Sequence, residues 1–179
     1  MEQAIIVITG IMAAGKSTVA EALAHRIPKA THLRGDIFRR MIISGREEMT
    51  DHPTDEALRQ LYMRYELAAM AAGKYYENGF TVVVQDNYLG RALQDFIAML
   101  EGYPLYVIVL YPGIEVVERR EAQRDKKGYG GFDVAGLYRS FMAETPRLGL
   151  WLDNGELTVE ETVETILRRI NEARIGERP

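Results

Sequence analysis

The sequence predicts an α/β fold with one parallel sheet. Short, strongly apolar runs alternate along the chain with segments of helical periodicity, which is typical of sheets built from βαβ units. A glycine-rich loop also separates the first apolar run from the first helical segment, and such loops often bind phosphates. We expect three layers, a five-stranded parallel sheet flanked by helices, with right-handed crossovers and a helical lid at about residues 114–145.

The individual elements are predicted from hydrophobic periodicity and turn residues. The apolar runs place strands at 4–9, 30–34, 80–85, 103–110 and 148–152. The helical segments are 17–24, 37–43, 54–78, 91–101, 114–127, 133–143 and 158–173. Thr54 is a predicted N-cap, and Thr158 with Glu161 has the sequence of a capping box. Residues 44–53 have no consistent period and are predicted to form a loop.

Composition and charge restrict the function. The chain has 179 residues, 47% of them hydrophobic and 27% charged, so we expect a single domain over residues 1–179. Its formal net charge of −4 disfavours a nucleic-acid partner, and the absence of cysteine excludes disulfides and thiolate metal sites. The first residues lack the pattern of a secretory signal, and no run approaches the roughly 18 apolar residues of a membrane span. We therefore expect a cytoplasmic protein without membrane contact, and the sequence predicts no oligomeric state.

Residues 10–17 form the glycine-rich loop and read G-x-x-x-x-G-K-S between a predicted strand and a predicted helix. This context is typical of a nucleotide-binding loop, in which backbone N–H groups and the helix N-terminus face the phosphates. Lys16 would reach the β- and γ-phosphates, and Ser17 would bind Mg²⁺. A chance glycine-rich turn is the alternative, which the flanking strand and helix disfavour. The predicted nucleotide contacts are Gly10, Ala13, Ala14, Gly15, Lys16, Ser17 and Thr18.

Two aspartates directly follow predicted strands. Asp36 comes after the second strand and Asp86 after the third, and ligands of parallel α/β sheets bind at the carboxyl ends of the strands. As alternatives, Asp36 is the N-cap of the next helix and Asp86 is a turn residue at the strand end. We expect Asp86 to serve Mg²⁺ through a water molecule, together with Ser17, and Asp36 to accept the proton of a substrate hydroxyl.

A cationic stripe is predicted on the charged helix that precedes the glycine-rich segment 128–131. Arg120, Arg124 and Lys127 lie at i, i+4 and i+7, so their like charges repel unless an anion lies against them. A solvated helix face is the alternative, because Glu121 partly neutralises the stripe. The glycine-rich segment favours a lid that closes over phosphates.

These motifs together resemble the small P-loop kinases of the adenylate and shikimate kinase type, and most of all the chloramphenicol phosphotransferase family. The matching motifs are residues 10–17, Gly35-Asp36, Val84 to Gly90, Arg119-Arg120-Glu121-x-x-Arg124, and the final strand and helix with Asp153. The resemblance implies a P-loop kinase fold in which Asp36 receives the proton of the substrate hydroxyl. It also implies that Arg120 and Arg124 hold the transferring phosphoryl group.

The expected reaction is transfer of the γ-phosphoryl group of a nucleoside triphosphate, ATP, to a hydroxyl of a small molecule, with Mg²⁺. The predicted catalytic residues are Lys16, Asp36, Arg120 and Arg124, and Arg120 also contacts the nucleotide. The predicted acceptor contacts are Asp36, Arg39, Asp86, Asn87 and Arg91.

The acceptor is less well defined by the sequence than the nucleotide. The resemblance alone ranks an antibiotic first. Residues 86–91 read Asp-Asn-Tyr-Leu-Gly-Arg rather than the Asp-Gly-x-Pro-Arg signature of nucleoside monophosphate kinases, which disfavours a nucleotide acceptor. Two alternatives stay open: a polynucleotide or nucleoside kinase, and a nucleotide-dependent regulatory ATPase that binds a protein partner.

Overall fold

Five parallel strands form the central sheet of the computed structural model, which describes residues 2–123 and 133–176. The strands are β1 (Ile5–Gly10), β2 (Ala30–Arg34), β3 (Thr81–Gln85), β4 (Leu105–Leu110) and β5 (Leu150–Leu152). Their order in the sheet is β2-β3-β1-β4-β5. β1 and β3 are buried along their whole length, as their continuous aliphatic sequences require in a sheet covered on both faces. The predicted five-stranded parallel sheet is confirmed.

Helices connect and flank these strands. They are α1 (Lys16–His25), α2 (Asp36–Arg40), α3 (Asp55–Glu77), α4 (Arg91–Met99), α5 (Ile114–Ala122), α6 (Val134–Glu144) and α7 (Val159–Arg168). At the start of α3 the Thr54 hydroxyl accepts a hydrogen bond from the Ala57 N–H at 3.0 Å. Thr158 and Glu161 form a reciprocal capping box at the start of α7. Both predicted helix starts are therefore confirmed, and each satisfies backbone donors that would otherwise lack partners.

Three elements differ from the prediction. The last helix is predicted to reach residue 173, but α7 ends at Arg168 and a separate 3-10 helix covers Ile170–Ala173. α2 ends at Arg40 instead of residue 43, and none of its residues is buried. Ile43 is 93% exposed, so a longer helix would gain no packing, and packing supplies most helical stability in proteins. A sixth strand, β6 (Arg174–Ile175), pairs antiparallel with the start of β4.

The register of the sheet brings the ends of β2 and β3 to one level, two residues before the end of β1 at Gly10. Arg34 at the end of β2 pairs with Gln85 of β3, and Gln85 pairs with Ile8 of β1. The residues that follow these strands therefore emerge together at one edge of the sheet. Because neighbouring strands are about 4.8 Å apart, the end of β2 lies roughly 10 Å from β1.

The predicted lid is described only in part. α5 and α6 belong to it, but Arg124, Lys127 and the glycine-rich segment 128–131 lie outside the described residues. The lid and the single-domain assignment stay predictions. Within residues 2–123 and 133–176, no helix has both the length and the apolar character needed to cross a membrane.

Candidate active site

The loop between β1 and α1 has the backbone of a phosphate-binding loop. Gly15 precedes α1 with φ at +92°, and Ala13 has φ at +66°. Among the described residues, Ala13 is the only non-glycine residue in this left-handed region, which costs an L-residue about 1–3 kcal/mol and is found mainly at functional sites. The Ala14 N–H donates to the Ile11 carbonyl at 3.2 Å and closes the loop.

Lys16 lies on the first turn of α1 and is buried against this loop. Its Nζ donates to the carbonyl of Ile11 at 2.8 Å, so the ammonium group lies beside the loop. Ser17 is partly buried and Thr18 is exposed on the same turn. No acidic residue lies in the first turn of α1, so nothing there neutralises the positive end of the helix dipole. The turn therefore favours an anion.

Arg120 of α5 lies against the same loop. Its Nη1 donates to the Ala14 carbonyl at 3.4 Å, and its Nη2 donates to the Asn154 carbonyl at 3.2 Å. The buried Asn154 side chain also donates to the Ala14 carbonyl, at 2.9 Å. Burial, followed by the neighbouring charge of Arg119, lowers the pKa of Arg120, but a guanidinium stays charged at neutral pH. The structure thus brings a second cation to the phosphate-binding loop beside Lys16.

Asp86 lies in a buried ion pair with Arg64 of α3. Arg64 Nη2 donates to Asp86 Oδ1 at 3.0 Å, and Arg64 Nε lies 3.0 Å from Oδ2. The Asn87 N–H also donates to Oδ1, at 2.8 Å. The side chains of Arg64 and Asp86 are only 11% and 5% exposed. Burial raises the pKa of Asp86, and the guanidinium of Arg64 is the main opposing influence.

Because Gly35 has no side chain, the Asp86 carboxylate can lie beside the end of β2. A Cβ at position 35 would collide with Asp86 Oδ2. The glycine is therefore needed for close approach, and its φ is not in the left-handed region. Its N–H donates to the Gln85 carbonyl at 3.0 Å, which continues the β2–β3 pairing to this point.

Asp36 is the more accessible of the two aspartates. It is the first residue of α2, and its side chain is 29% exposed. Its carboxylate accepts from Arg40 Nη2 at 2.6 Å and lies 3.7 Å from Arg34 Nε. The N-cap of α2 is Gly35, and no side chain caps this helix. Asp36 therefore does not cap the helix, which was the structural alternative to a substrate role.

The remaining predicted acceptor contacts are dispersed around this edge. Asn87 is partly buried, and its carbonyl accepts from the Tyr65 hydroxyl at 3.0 Å. Arg39 forms an ion pair with Glu48 in the segment between α2 and α3. Arg91 is exposed, with Nε 3.5 Å from Asp95 Oδ1. Their contact with an acceptor stays a prediction, as does the role of Arg124.

Sequence reasoning missed two residues of this site. Asn154 follows β5 and reaches Ala14 from the far end of the chain. Arg64 occurs among the apolar residues of α3, directly before the buried Tyr65. A charged residue at the border of an apolar helix face is a signal that could have indicated a buried partner. Asn154 carries no comparable signal.

The residues present could hold a magnesium ion only if bound phosphates supplied some of its ligands. The Ser17 hydroxyl is on the turn that would face them, and Mg²⁺ is usually held by one or two protein ligands together with phosphates and waters. Among the described residues, no group of three or more His, Asp or Glu side chains is placed to hold a metal. Both oxygens of Asp86 face Arg64, so its contact with a metal would have to pass through a water molecule. That contact stays a prediction.

Comparisons with known proteins agree with this fold. Residues 5–136 match a family model described as an AAA domain. A sugar kinase from Janibacter sp. aligns with a TM-score of 0.69 and 20% identity, over 96% of each chain. The tunicamycin resistance protein of Deinococcus radiodurans aligns with a TM-score of 0.71 and 16% identity, over 98% of this chain and 100% of that one.

A third structure, shikimate kinase from Bacteroides thetaiotaomicron, aligns with a TM-score of 0.61 and 15% identity, over 92% of this chain and 97% of that one. At these identities the likeness establishes the fold, which is that of the P-loop kinases. No curated protein matches the chain in a sequence search.

Proposed function

The chain belongs to the AAA-domain family, and on this premise we propose that it is a phosphotransferase of the chloramphenicol phosphotransferase type. It would transfer the γ-phosphoryl group of ATP to a hydroxyl of a small molecule. The observation that carries the proposal is the convergence of two cations on one loop. Lys16 contacts the Ile11 carbonyl and Arg120 contacts the Ala14 carbonyl, so both lie where a triphosphate would be held.

The position of Asp36 supports a separate acceptor site. Asp36 follows β2, which is two strands away from β1 in the sheet. The carboxylate therefore lies roughly 10 Å to one side of the strand that leads into the phosphate-binding loop. A triphosphate held on that loop would extend its γ-phosphoryl group outward. An acceptor hydroxyl beside Asp36 would then approach the γ-phosphorus from the side opposite to the bridging oxygen. Kinases need such an in-line arrangement.

Each residue has a distinct part in this reaction. The loop N–H groups and Lys16 bind the phosphates, and Arg120 neutralises the charge that develops on the moving phosphoryl group. The acceptor oxygen bonds to the γ-phosphorus while the bond to the bridging oxygen breaks, which releases ADP. Asp36 orients the hydroxyl and receives its proton. Bound Mg²⁺ would neutralise phosphate charge, and Ser17 would hold it.

The acceptor is proposed to carry an apolar part beside its hydroxyl. Ile37 lies directly after Asp36 and is exposed, as are Met41 and Ile43 just beyond the helix. Exposed large apolar residues that cluster on a surface often mark a binding site. An antibiotic-type acceptor agrees with this surface and with the resemblance to chloramphenicol phosphotransferases, whereas a strongly polar sugar or polyol would leave the apolar residues uncovered.

A panel of hydroxylated compounds with ATP and Mg²⁺ tests the proposal, with products identified by mass spectrometry. We expect one class of acceptor to gain the mass of a phosphoryl group with the wild-type protein. The Lys16→Ala variant, purified in the same way, should give no product. A rate of phosphate release that is slow and independent of every acceptor offered would instead favour the regulatory ATPase, and labelled oligonucleotide or nucleoside product would favour the other kinase classes.

A further inference from the structure

The outward face of α3 carries apolar side chains that no other described element covers. Met63, Leu67 and Met70 are exposed large hydrophobic residues on this helix, and Met70 is 71% exposed. They fall at i, i+4 and i+7, so they form one stripe along the helix surface. The opposite side of α3 holds Arg64 and Tyr65 in the interior, so this stripe is separate from the candidate active site.

A groove is lined in part by Met70, and its lining also includes two small residues. Its volume is about 580 Å³, and Ala69 and Gly73 of α3 line it together with Tyr103. A Cβ at Gly73 would lie 2.6 Å from the Tyr103 hydroxyl, so the glycine makes room for this ring against the helix. The groove can receive a long, flexible apolar side chain, and methionine is well suited to fill such irregular space.

Charged residues on the same face are arranged in a self-complementary way. Glu66 lies four residues before Met70 and Lys74 lies four residues after it. In an antiparallel pair of α3 helices related by a twofold axis at Met70, each Glu66 faces Lys74 of the other copy. A twofold interface requires a surface that complements itself in this manner. The Met70 side chains would at the same time lie next to the small residues of the opposite groove.

We propose that α3 is the contact surface between two copies of this chain, packed antiparallel around Met70. The ion pair that Lys74 makes within its own chain, 3.4 Å from Glu77, is exposed and contributes little, so Lys74 can change partner. α3 has 23 residues and is about 35 Å long. A single pair of such helices buries less than the roughly 800 Å² per partner of a standard interface, so the dimer dissociates reversibly.

Sedimentation velocity over a concentration series of the full-length protein measures this association. Glu66→Lys alone and Lys74→Glu alone each place like charges opposite each other, and each should raise the dimer Kd at least about tenfold. An equimolar mixture of the two variants restores both ion pairs, because one copy then carries two lysines and the other two glutamates. We expect the mixture to form a heterodimer with a Kd near that of the wild type.

Glu160→Lys on α7 is the matched control, since it makes the same charge change at an exposed site away from α3. It should leave the Kd unchanged. Two results would overturn the proposal. One is a wild-type chain that stays monomeric at roughly 1 mM, and the other is a dimer whose Kd responds to neither single variant. Far-UV circular dichroism of each variant shows that it is folded, and these substitutions leave the proposed phosphotransfer unaffected.

Discussion

Replacing Arg64 by methionine should strongly destabilise the fold, because it leaves the Asp86 carboxylate buried without its cation. The two side chains meet through two contacts of 3.0 Å and are almost fully buried. With charge centres about 4 Å apart and an effective dielectric constant of about 20, their attraction is on the order of 4 kcal/mol. Breaking a buried ion pair by removing one partner costs about 3–5 kcal/mol. For a chain of this length, the melting temperature should fall by roughly 6–20 °C.

The loss of stability in the Arg64→Met variant should also depend on pH. Burial raises the pKa of Asp86 even with Arg64 present, and Arg64 is the largest influence that opposes this rise. Without Arg64 the folded-state pKa should rise further above that of the unfolded chain. A carboxyl group of this kind disfavours the folded state increasingly as the pH rises through its folded pKa. The Arg64→Met variant should therefore be closer to the wild type at pH 5 than at pH 8.

Thermal and urea unfolding at these two pH values test the reasoning. The double variant Arg64→Met/Asp86→Asn removes both charges and should recover much of the stability and lose the pH dependence. Arg59→Met is the matched control on the same helix, because its side chain is 74% exposed and pairs with Glu56. It should cost about 1 kcal/mol or less. Equal losses for Arg59→Met and Arg64→Met, or a double variant no more stable than Arg64→Met, would refute the argument.

Three further predictions concern the proposed reaction. Lys16→Ala should abolish turnover, measured as phosphorylated product, since Lys16 is proposed to bind the phosphates. Near-normal activity would place the phosphate site elsewhere. Asp36→Asn should lower kcat at least about a hundredfold at saturating acceptor. The affinity for nucleotide, measured by calorimetry, should stay unchanged. A change in thermal stability alone would contradict a role in proton transfer. Arg120→Ala should lower kcat more than it weakens nucleotide binding, in steady-state kinetics, because Arg120 is proposed to act on charge that develops during transfer. A change confined to KM would restrict it to ground-state binding.

Local patterns predicted most of the sheet, and the exceptions have a physical cause. Nearly continuous aliphatic runs predict β1, β3 and β4, because strands buried on both faces have few polar positions. β6 comprises only Arg174 and Ile175 and is defined by its pairing with β4, so the segment itself carries no pattern. α2 has helical composition, but only the tertiary structure reveals that none of its residues is buried and that the helix ends at Arg40.

The site was predictable to the extent that it lies in contiguous sequence. The phosphate-binding loop and the two strand-end aspartates are local features of the sequence. The partner of Asp86 is Arg64, on a helix that precedes β3, and Asn154 approaches Ala14 from the segment after β5. These contacts join residues far apart in sequence, so no spacing rule points to them, and the buried pair became apparent only from the packing of α3.

The environments of the two aspartates favour different tasks. Asp36 is held by Arg40 and Arg34, whose side chains are about half exposed, and such pairs contribute about 1 kcal/mol or less. An acceptor hydroxyl can therefore displace these contacts at little cost. If Asp86 moved away from Arg64, two buried charges would be left unpaired, which costs about 3–5 kcal/mol. The free-energy difference favours Asp36 as the carboxylate that meets the acceptor, and favours Asp86 as the fixed group that holds α3 against the ends of β2 and β3.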